Sequence, residues 1–230
     1  MLANIGPMVK YLLPPSFRHY HQKNALQDSF GRFHNYLRMS LTEKCNLRCV
    51  YCMPVEGVPL TPSEDQLSLD ERKRTVRIFS QLGVTKIRFT GGEPTVSNQL
   101  KELIAYSHTL STIQSIGITT NAIILHKQLD DLIKSGLASI NISLDSLLPE
   151  VFEQITRRDK KNLYRVLSSI YESISKGLHV KVRLFNSWNI TLQYKHYKFT
   201  VLYRLIVWLF EESTMMKCIP SCKQTSYHPH

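Results

Sequence analysis

Cys45, Cys49 and Cys52 form one short Cys-x3-Cys-x2-Cys run, the most chemically distinctive feature of the sequence. Thiolates spaced this closely converge on a metal. Three are one short of the four that a tetrahedral structural zinc or a ferredoxin-type cluster takes, and no histidine lies within the run; His34 and His108 are the nearest on either side. A 4Fe-4S cluster held by three cysteines leaves one iron free for a non-protein ligand, and the odd number is the clue to it. The alternative is zinc completed by a distant fourth ligand, such as Cys218 or Cys222.

The chain has five cysteines in those two groups and lacks a secretory signal pattern, so its thiols read as kept for metals or catalysis in a reducing compartment. At 43% hydrophobic and 20% charged residues, the 230-residue chain is globular, of about one ordinary domain with a small appendage. The most apolar stretch, Val201 to Phe210, is interrupted by Arg204 and is too short to span a bilayer. The formal charge of +11 lies more in the flanks than in the middle, which leaves nucleic-acid binding a weak alternative. The basic cluster Arg157-Arg158-Asp159-Lys160-Lys161 reads as a solvated loop or helix start.

The elements that must position the cysteines are alternating strands and helices. Strands are expected at Leu37–Leu41, Lys86–Thr90, Ile116–Thr120, Ser139–Leu144 and Val180–Leu184. Ser68 and Glu71 form a capping-box signature with Gly83 as the stop of the following helix. Leu163, Val166, Leu167, Ile170, Tyr171 and Ile174 recur at helical spacing, ending at Gly177. Strand–helix repetition of this kind implies an α/β fold with a parallel sheet. The cysteine run then follows the C-terminal end of the first strand, where barrel folds carry their active-site loops.

Alternation within the strands gives them two different faces. Ile87 and Phe89 oppose Lys86, Arg88 and Thr90; Leu37, Met39 and Leu41 oppose Arg38 and Ser40; Val180 and Val182 oppose Lys181 and Arg183. Open parallel sheets covered on both sides read as continuous apolar runs. A partial TIM-type β/α barrel, with outer helices and a hydrated lumen, accounts for this pattern; an antiparallel sheet with one solvated face is the alternative. In the barrel Arg38, Arg88 and Lys181 converge, and cations that close require an anion such as a polyphosphate or polycarboxylate.

Several segments resemble one family: Leu37 to Cys49, Tyr51-Cys52-Met53-Pro54, Gly57-Val58-Pro59-Leu60, Lys86 to Pro94, Thr119-Thr120-Asn121 and Asn141 to Ser146. Together they resemble the molybdenum-cofactor biosynthesis protein A family, the GTP 3',8-cyclases of the radical S-adenosylmethionine superfamily. The resemblance covers residues 37–183 and implies the radical SAM core fold. It implies that Cys45, Cys49 and Cys52 hold a 4Fe-4S cluster, and that Tyr51, Gly91, Gly92, Glu93 and Ser143 serve S-adenosylmethionine. It further implies that Arg38, Arg88, Thr119 and Lys181 bind GTP. The implied reaction is a lyase-type cyclisation of GTP to 3',8-cyclo-7,8-dihydro-GTP through a 5'-deoxyadenosyl radical, with no side chain needed as acid or base. The implied pathway partner is cyclic pyranopterin monophosphate synthase; the electron donor is unspecified, and a homodimer is compatible with the resemblance.

Departures from the family shape the remaining expectations. Ala122 stands where the family has Gly, and at positive φ it would cost about 1 kcal/mol or more. Thr95-Val96-Ser97 replaces an apolar pair and Arg. Residues 184–230 show no family motif and only Cys218 and Cys222, so the family's second 4Fe-4S cluster is expected to be absent, with Trp188 to Phe210 covering an open sheet edge. The alternative function is therefore a non-catalytic truncated isoform that binds cluster or nucleotide and acts through partners. Residues 1–36 read as a mitochondrial presequence or a disordered leader, which places the chain in the mitochondrial matrix or otherwise the cytoplasm.

Overall fold

The computed structural model describes residues 25–183. Cys218, Cys222, Leu184 and the stretch Trp188 to Phe210 lie outside the described residues, as do the expectations placed on them. Within the expected leader, residues 25–35 form a turn in which Gln27 bridges Phe33 and Asp28 accepts hydrogen bonds from the Phe30 and Arg32 amides.

The elements run β1 (Tyr36–Ser40), α1 (Leu69–Gln81), β2 (Lys86–Thr90), α2 (Leu100–His108), β3 (Ser115–Thr120), α3 (Leu129–Lys134), β4 (Ser139–Ser143), α4 (Pro149–Thr156), α5 (Lys161–Ser175) and β5 (His179–Arg183). The five strands pair in chain order, and every pairing is parallel. That excludes the antiparallel alternative. Each crossover carries at least one helix, and the arc is left open at the outer edges of β1 and β5 among the described residues. The fold is thus a partial β/α barrel.

Local chemistry explains the boundaries. The Ser68 hydroxyl accepts the Glu71 amide and the Glu71 carboxylate accepts the Ser68 amide, closing the expected capping box at the start of α1. Gly83, at φ +102, turns the chain out of that helix, a conformation costly for any residue with a Cβ. Strands β1 and β5 begin one residue earlier than the hydrophobic pattern suggests, because Tyr36 and His179 join the ladders through backbone bonds that do not depend on side-chain polarity.

The apolar strand positions are packed under the helices. Ile87, Phe89, Ile116, Ile118, Ile140 and Ile142 are buried, together with Val76 of α1, Leu103 and Ile104 of α2, Leu132 of α3, Phe152 of α4 and Leu163, Val166 and Ile170 of α5. The opposite face carries the polar alternates: Arg38, Ser40, Lys181 and Arg183 are exposed, and Arg88, Thr90, Thr119, Asn141 and Ser143 are half-buried. The burial of one face and hydration of the other is the division the alternation requires.

Candidate active site

The cysteine run is built by continuing the sheet. The Leu41 amide donates to the Thr90 carbonyl (2.9 Å), the Gly92 amide to Thr42 O (2.6 Å) and the Glu93 amide to Lys44 O (2.9 Å). These bonds zip the end of β2 to the segment that leads into Cys45. A Cβ on Gly91 would stand 2.5 Å from Thr42 O, and one on Gly92 2.5 Å from Lys44 O. The two glycines are therefore required for contact between the two backbones, beyond the access they give a ligand.

Past Cys45 the loop is held from several sides. The amides of Arg48 and Val50 donate to the carbonyls of Thr156 and Ile155 at the end of α4 (3.0 and 2.9 Å). Arg158 Nε donates to Asn46 O and Arg157 Nη1 to Met53 O, both at 3.1 Å. The basic cluster expected to be merely solvated thus clasps the loop carbonyls. The amides of Cys52 and Met53 both donate to Cys49 O, a tight turn that sets Cys52 beside Cys49. At the far end the Glu43 carboxylate accepts both the amide and the hydroxyl of Thr61 (2.7 Å each), closing the loop on itself.

The three thiols lie near enough to one another to interact electrostatically. Burial pushes the Cys49 thiol up to about 12, with Cys52 and Cys45 adding to the rise, and burial raises Cys45 as well. Among the described residues no group of His, Cys, Asp or Glu is arranged to hold a single metal ion. A cuboidal cluster spreads its thiolates farther apart than one ion does, and three neighbouring thiols, from buried Cys49 to exposed Cys52, fit such a cluster. Cys45 Sγ already has hydrogen-bond donors aimed at it: the Leu47 amide at 3.4 Å and Asn121 Nδ2 at 3.9 Å. Donors of this kind stabilise a thiolate that carries cluster charge.

Glu93 is tied into the interior by its neighbours. It is 1% exposed, and its carboxylate accepts Thr95 N (3.1 Å), Thr95 Oγ1 (2.5 Å), Thr120 Oγ1 (2.5 Å) and Asn121 N (2.7 Å). Desolvation raises its pKa against the pull of those bonds. Two of these bonds, from Thr120 Oγ1 and Asn121 N, tie the segment after β2 to the end of β3, and the two from Thr95 hold the turn that follows, so its position is that of an internal brace. Asn121 extends the brace by donating to Asn46 Oδ1 at 2.6 Å, inside the cysteine run.

Register lines up the polar face below this loop. Arg38 pairs across from Arg88, Arg88 from Gly117, Gly117 from Ser139, and Ser139 from His179. One row nearer the loop, about 7 Å along, Thr119, Asn141 and Lys181 run side by side, and Ser143 stands beside Arg183 one row further. Arg38, Arg88, Thr119 and Lys181 are brought to one face in adjacent rows. None of Arg38, Arg88, Lys181 and Arg183 has a carboxylate within ion-pair distance among the described residues.

Two contributors to this face, Gly117 and Ser139, carried no legible chemistry in the sequence. Arg88 is laid across β3, donating from Nε to Tyr36 Oη (2.9 Å), from Nη1 to Ile118 O (2.7 Å) and from Nη2 to Ser139 Oγ (3.1 Å). Gly117 leaves the room for it, since a Cβ there would meet Arg88 Nη2 at 2.8 Å and Ser139 Oγ at 2.5 Å. A glycine inside a strand marks such a close approach, which is the one sequence signal available for it. Tyr51, the exposed ring of the cysteine run, donates its hydroxyl to Asp145 Oδ2 at 2.8 Å.

Comparison with known proteins identifies the family. The model of the radical SAM superfamily matches residues 39–191. Molybdenum cofactor biosynthesis protein 1 of Drosophila melanogaster is 48% identical over 170 residues, covering 74% of this chain and 30% of the relative. GTP 3',8-cyclase, mitochondrial, of Arabidopsis thaliana is 51% identical over 160 residues (69% of this chain, 40% of the relative). GTP 3',8-cyclase of Desulforamulus reducens is 45% identical over 155 residues (67% and 46%). The chain therefore spans less than half the length of these curated relatives. Among solved structures, Streptococcus suis SuiB bound to S-adenosylmethionine superposes with a TM-score of 0.52 at 18% identity, over 80% of this chain and 46% of that one. Methylornithine synthase superposes with a TM-score of 0.51 at 13% identity, over 65% and 44%; both likenesses concern the fold. The chain belongs to the radical SAM superfamily, a family of 4Fe-4S and S-adenosylmethionine-binding proteins, and its relatives within it are the molybdenum cofactor biosynthesis proteins and GTP 3',8-cyclases.

Proposed function

We propose that this chain is a radical S-adenosylmethionine enzyme of molybdenum cofactor biosynthesis that cyclises GTP. The observation that carries the substrate assignment is the polar sheet face, where Arg38, Arg88 and Lys181 stand in adjacent rows without carboxylate partners beneath the cysteine loop. Unpaired cations on a half-enclosed face favour a polyanion, and a nucleoside triphosphate satisfies them. The names of the relatives support GTP as that anion.

In this reading Cys45, Cys49 and Cys52 hold one 4Fe-4S cluster, and Tyr51, Gly91, Gly92 and Ser143 contact S-adenosylmethionine. When bound, the cluster and S-adenosylmethionine would supply one-electron chemistry at the substrate sugar. The chain's own residues bind and orient. Arg38, Lys181 and Thr119 receive the nucleotide, Arg88 is held flat by Tyr36 and Ser139 with donors left over for it, and the rows of the sheet set its distance from the cysteine loop. Glu93 holds the loop to β3 through Thr120 and Asn121. The mitochondrial name of the Arabidopsis relative supports a mitochondrial setting, and the enzyme that consumes the cyclised product is the expected pathway partner.

The test is anaerobic reconstitution with iron and sulfide, followed by reduction in the presence of S-adenosylmethionine with and without GTP. Formation of 5'-deoxyadenosine stimulated by GTP, and lost to GTP but not to S-adenosylmethionine in Arg38→Ala and Lys181→Ala, is the expected result. Cleavage indifferent to GTP in the wild-type chain would leave a working radical site without this substrate.

A further inference from the structure

Asp145 has three properties that its neighbours on the strand ends do not share. It adopts φ +66, one of three non-glycine residues among the described residues with positive φ. Its carboxylate is partly shielded from water, which raises its pKa, yet no lysine, arginine or histidine lies within ion-pair distance among the described residues. Its hydrogen-bond partner is Tyr51 Oη at 2.8 Å, a residue 94 positions away in the cysteine run. A non-glycine residue held at positive φ and an uncompensated carboxylate both cost stability. Such costs persist where a specific contact depends on them.

The contact joins two separate parts of the site. Ser143 ends β4, and Leu144 continues that strand by donating its amide to Arg183 O (3.0 Å). The left-handed turn at Asp145 then returns its carboxylate toward the loop, where the Tyr51 hydroxyl lies between it and Cys49. The loop is tied to β2 through Gly92 and to β3 through Asn121, and Asp145 makes the tie to β4.

We infer that Asp145 is a positioning residue, a clamp that fixes the Tyr51 ring over the strand ends so that the loop and β4 present one rigid surface to S-adenosylmethionine. This rests on the reading that the cofactor binds at this face. Removing the acceptor loosens the ring, and ordering it again has to be met from binding energy.

The experiment compares Tyr51→Phe, Asp145→Gly, Asp145→Asn and the Tyr51→Phe/Asp145→Gly pair in the full reconstituted chain. S-adenosylmethionine affinity is read from the change it makes in the EPR spectrum of the reduced cluster, and loop order from hydrogen exchange of the amides at 50–53 without cofactor. Asp145→Gly relieves the positive φ, so wild-type iron content is expected and folding strain is removed as an explanation. Asn accepts the same hydrogen bond and tolerates the left-handed conformation.

The clamp predicts affinity about tenfold lower in Tyr51→Phe and in Asp145→Gly, a size typical of one hydrogen bond to a charged acceptor. It predicts no further loss in the pair, faster loop exchange in both single variants, and a smaller loss in Asp145→Asn than in Asp145→Gly, since Asn keeps the acceptor without the charge. Wild-type affinity in Asp145→Gly, additive losses in the pair, or an Asp145→Asn as weak as Asp145→Gly would each overturn it. A wild-type chain that forms the cluster but shows no response to S-adenosylmethionine overturns the parent reading and the clamp together. A wild-type response with unaltered Asp145 variants overturns the clamp alone.

Discussion

Replacing Glu93 tests the idea that the most conspicuous acid of the site is a brace. Its carboxylate is 1% exposed and accepts four hydrogen bonds, two of them from the backbone amides of Thr95 and Asn121. In Glu93→Ala both amides lose their acceptor inside the protein, at about 1–3 kcal/mol each, so a loss of about 2–6 kcal/mol is expected. In Glu93→Gln the amide oxygen retains one set of donors while its NH2 opposes another, and about 1–3 kcal/mol is expected. Against a usual stability of roughly 5–15 kcal/mol, the first change brings the chain near unfolding and the second does not. Urea denaturation read by far-UV circular dichroism gives both values. Because Asn121 links the brace to Asn46 and Cys45, iron retention after reconstitution should fall in the same order. Variants within about 0.5 kcal/mol of wild type, the scatter of ordinary surface substitutions, would refute the reasoning.

The sign of the pH dependence follows from the same residue. Burial raises the Glu93 pKa above the ordinary glutamate value, so the folded state binds its proton more tightly than the unfolded state does. Wild type therefore loses stability as pH rises from the ordinary value through the raised one, and Glu93→Gln does not. The stability gap between them should narrow as pH rises above the ordinary glutamate value; a gap that widens would mean that the four hydrogen bonds outweigh desolvation. Gly117→Ala drives a methyl into Arg88 Nη2 and Ser139 Oγ, and should weaken GTP binding while leaving S-adenosylmethionine affinity unchanged, by paired equilibrium titrations. Ala122, at φ +61 and 0% exposed, should tolerate Gly within about 1 kcal/mol, because released strain and lost methyl burial offset each other. Ala122→Val should cost more than about 2 kcal/mol in the same urea titration, since a β-branched residue fits neither the space nor the dihedral.

Much of this architecture was legible in the residues, and the limits of that legibility are physical. Alternation in Lys86-Ile87-Arg88-Phe89-Thr90 identified both the strand and its two faces, because period-two packing under the helices leaves polar residues one side only. Capping at Ser68 and Glu71 was equally readable, being a local backbone requirement. The cysteine run was visible from spacing, but its ties to Thr156, Arg157, Arg158 and Asp145 span long stretches of sequence and leave no periodic trace. Glu93 read as a cofactor residue from its motif, whereas its burial is decided by Thr95, Thr120 and Asn121, whose arrangement exists only once β2 and β3 pair. Gly117 carried no message beyond being a glycine in a strand until Arg88 was seen lying over it.

The central claim is that Cys45, Cys49 and Cys52 hold a radical-generating cluster, and reductive cleavage of S-adenosylmethionine by the reconstituted chain tests it most directly. The account predicts about four irons per chain, 5'-deoxyadenosine on reduction, and loss of both in Cys45→Ala, Cys49→Ala and Cys52→Ala. A chain that binds iron equally well without these cysteines, or that holds the cluster and releases no 5'-deoxyadenosine, would contradict it.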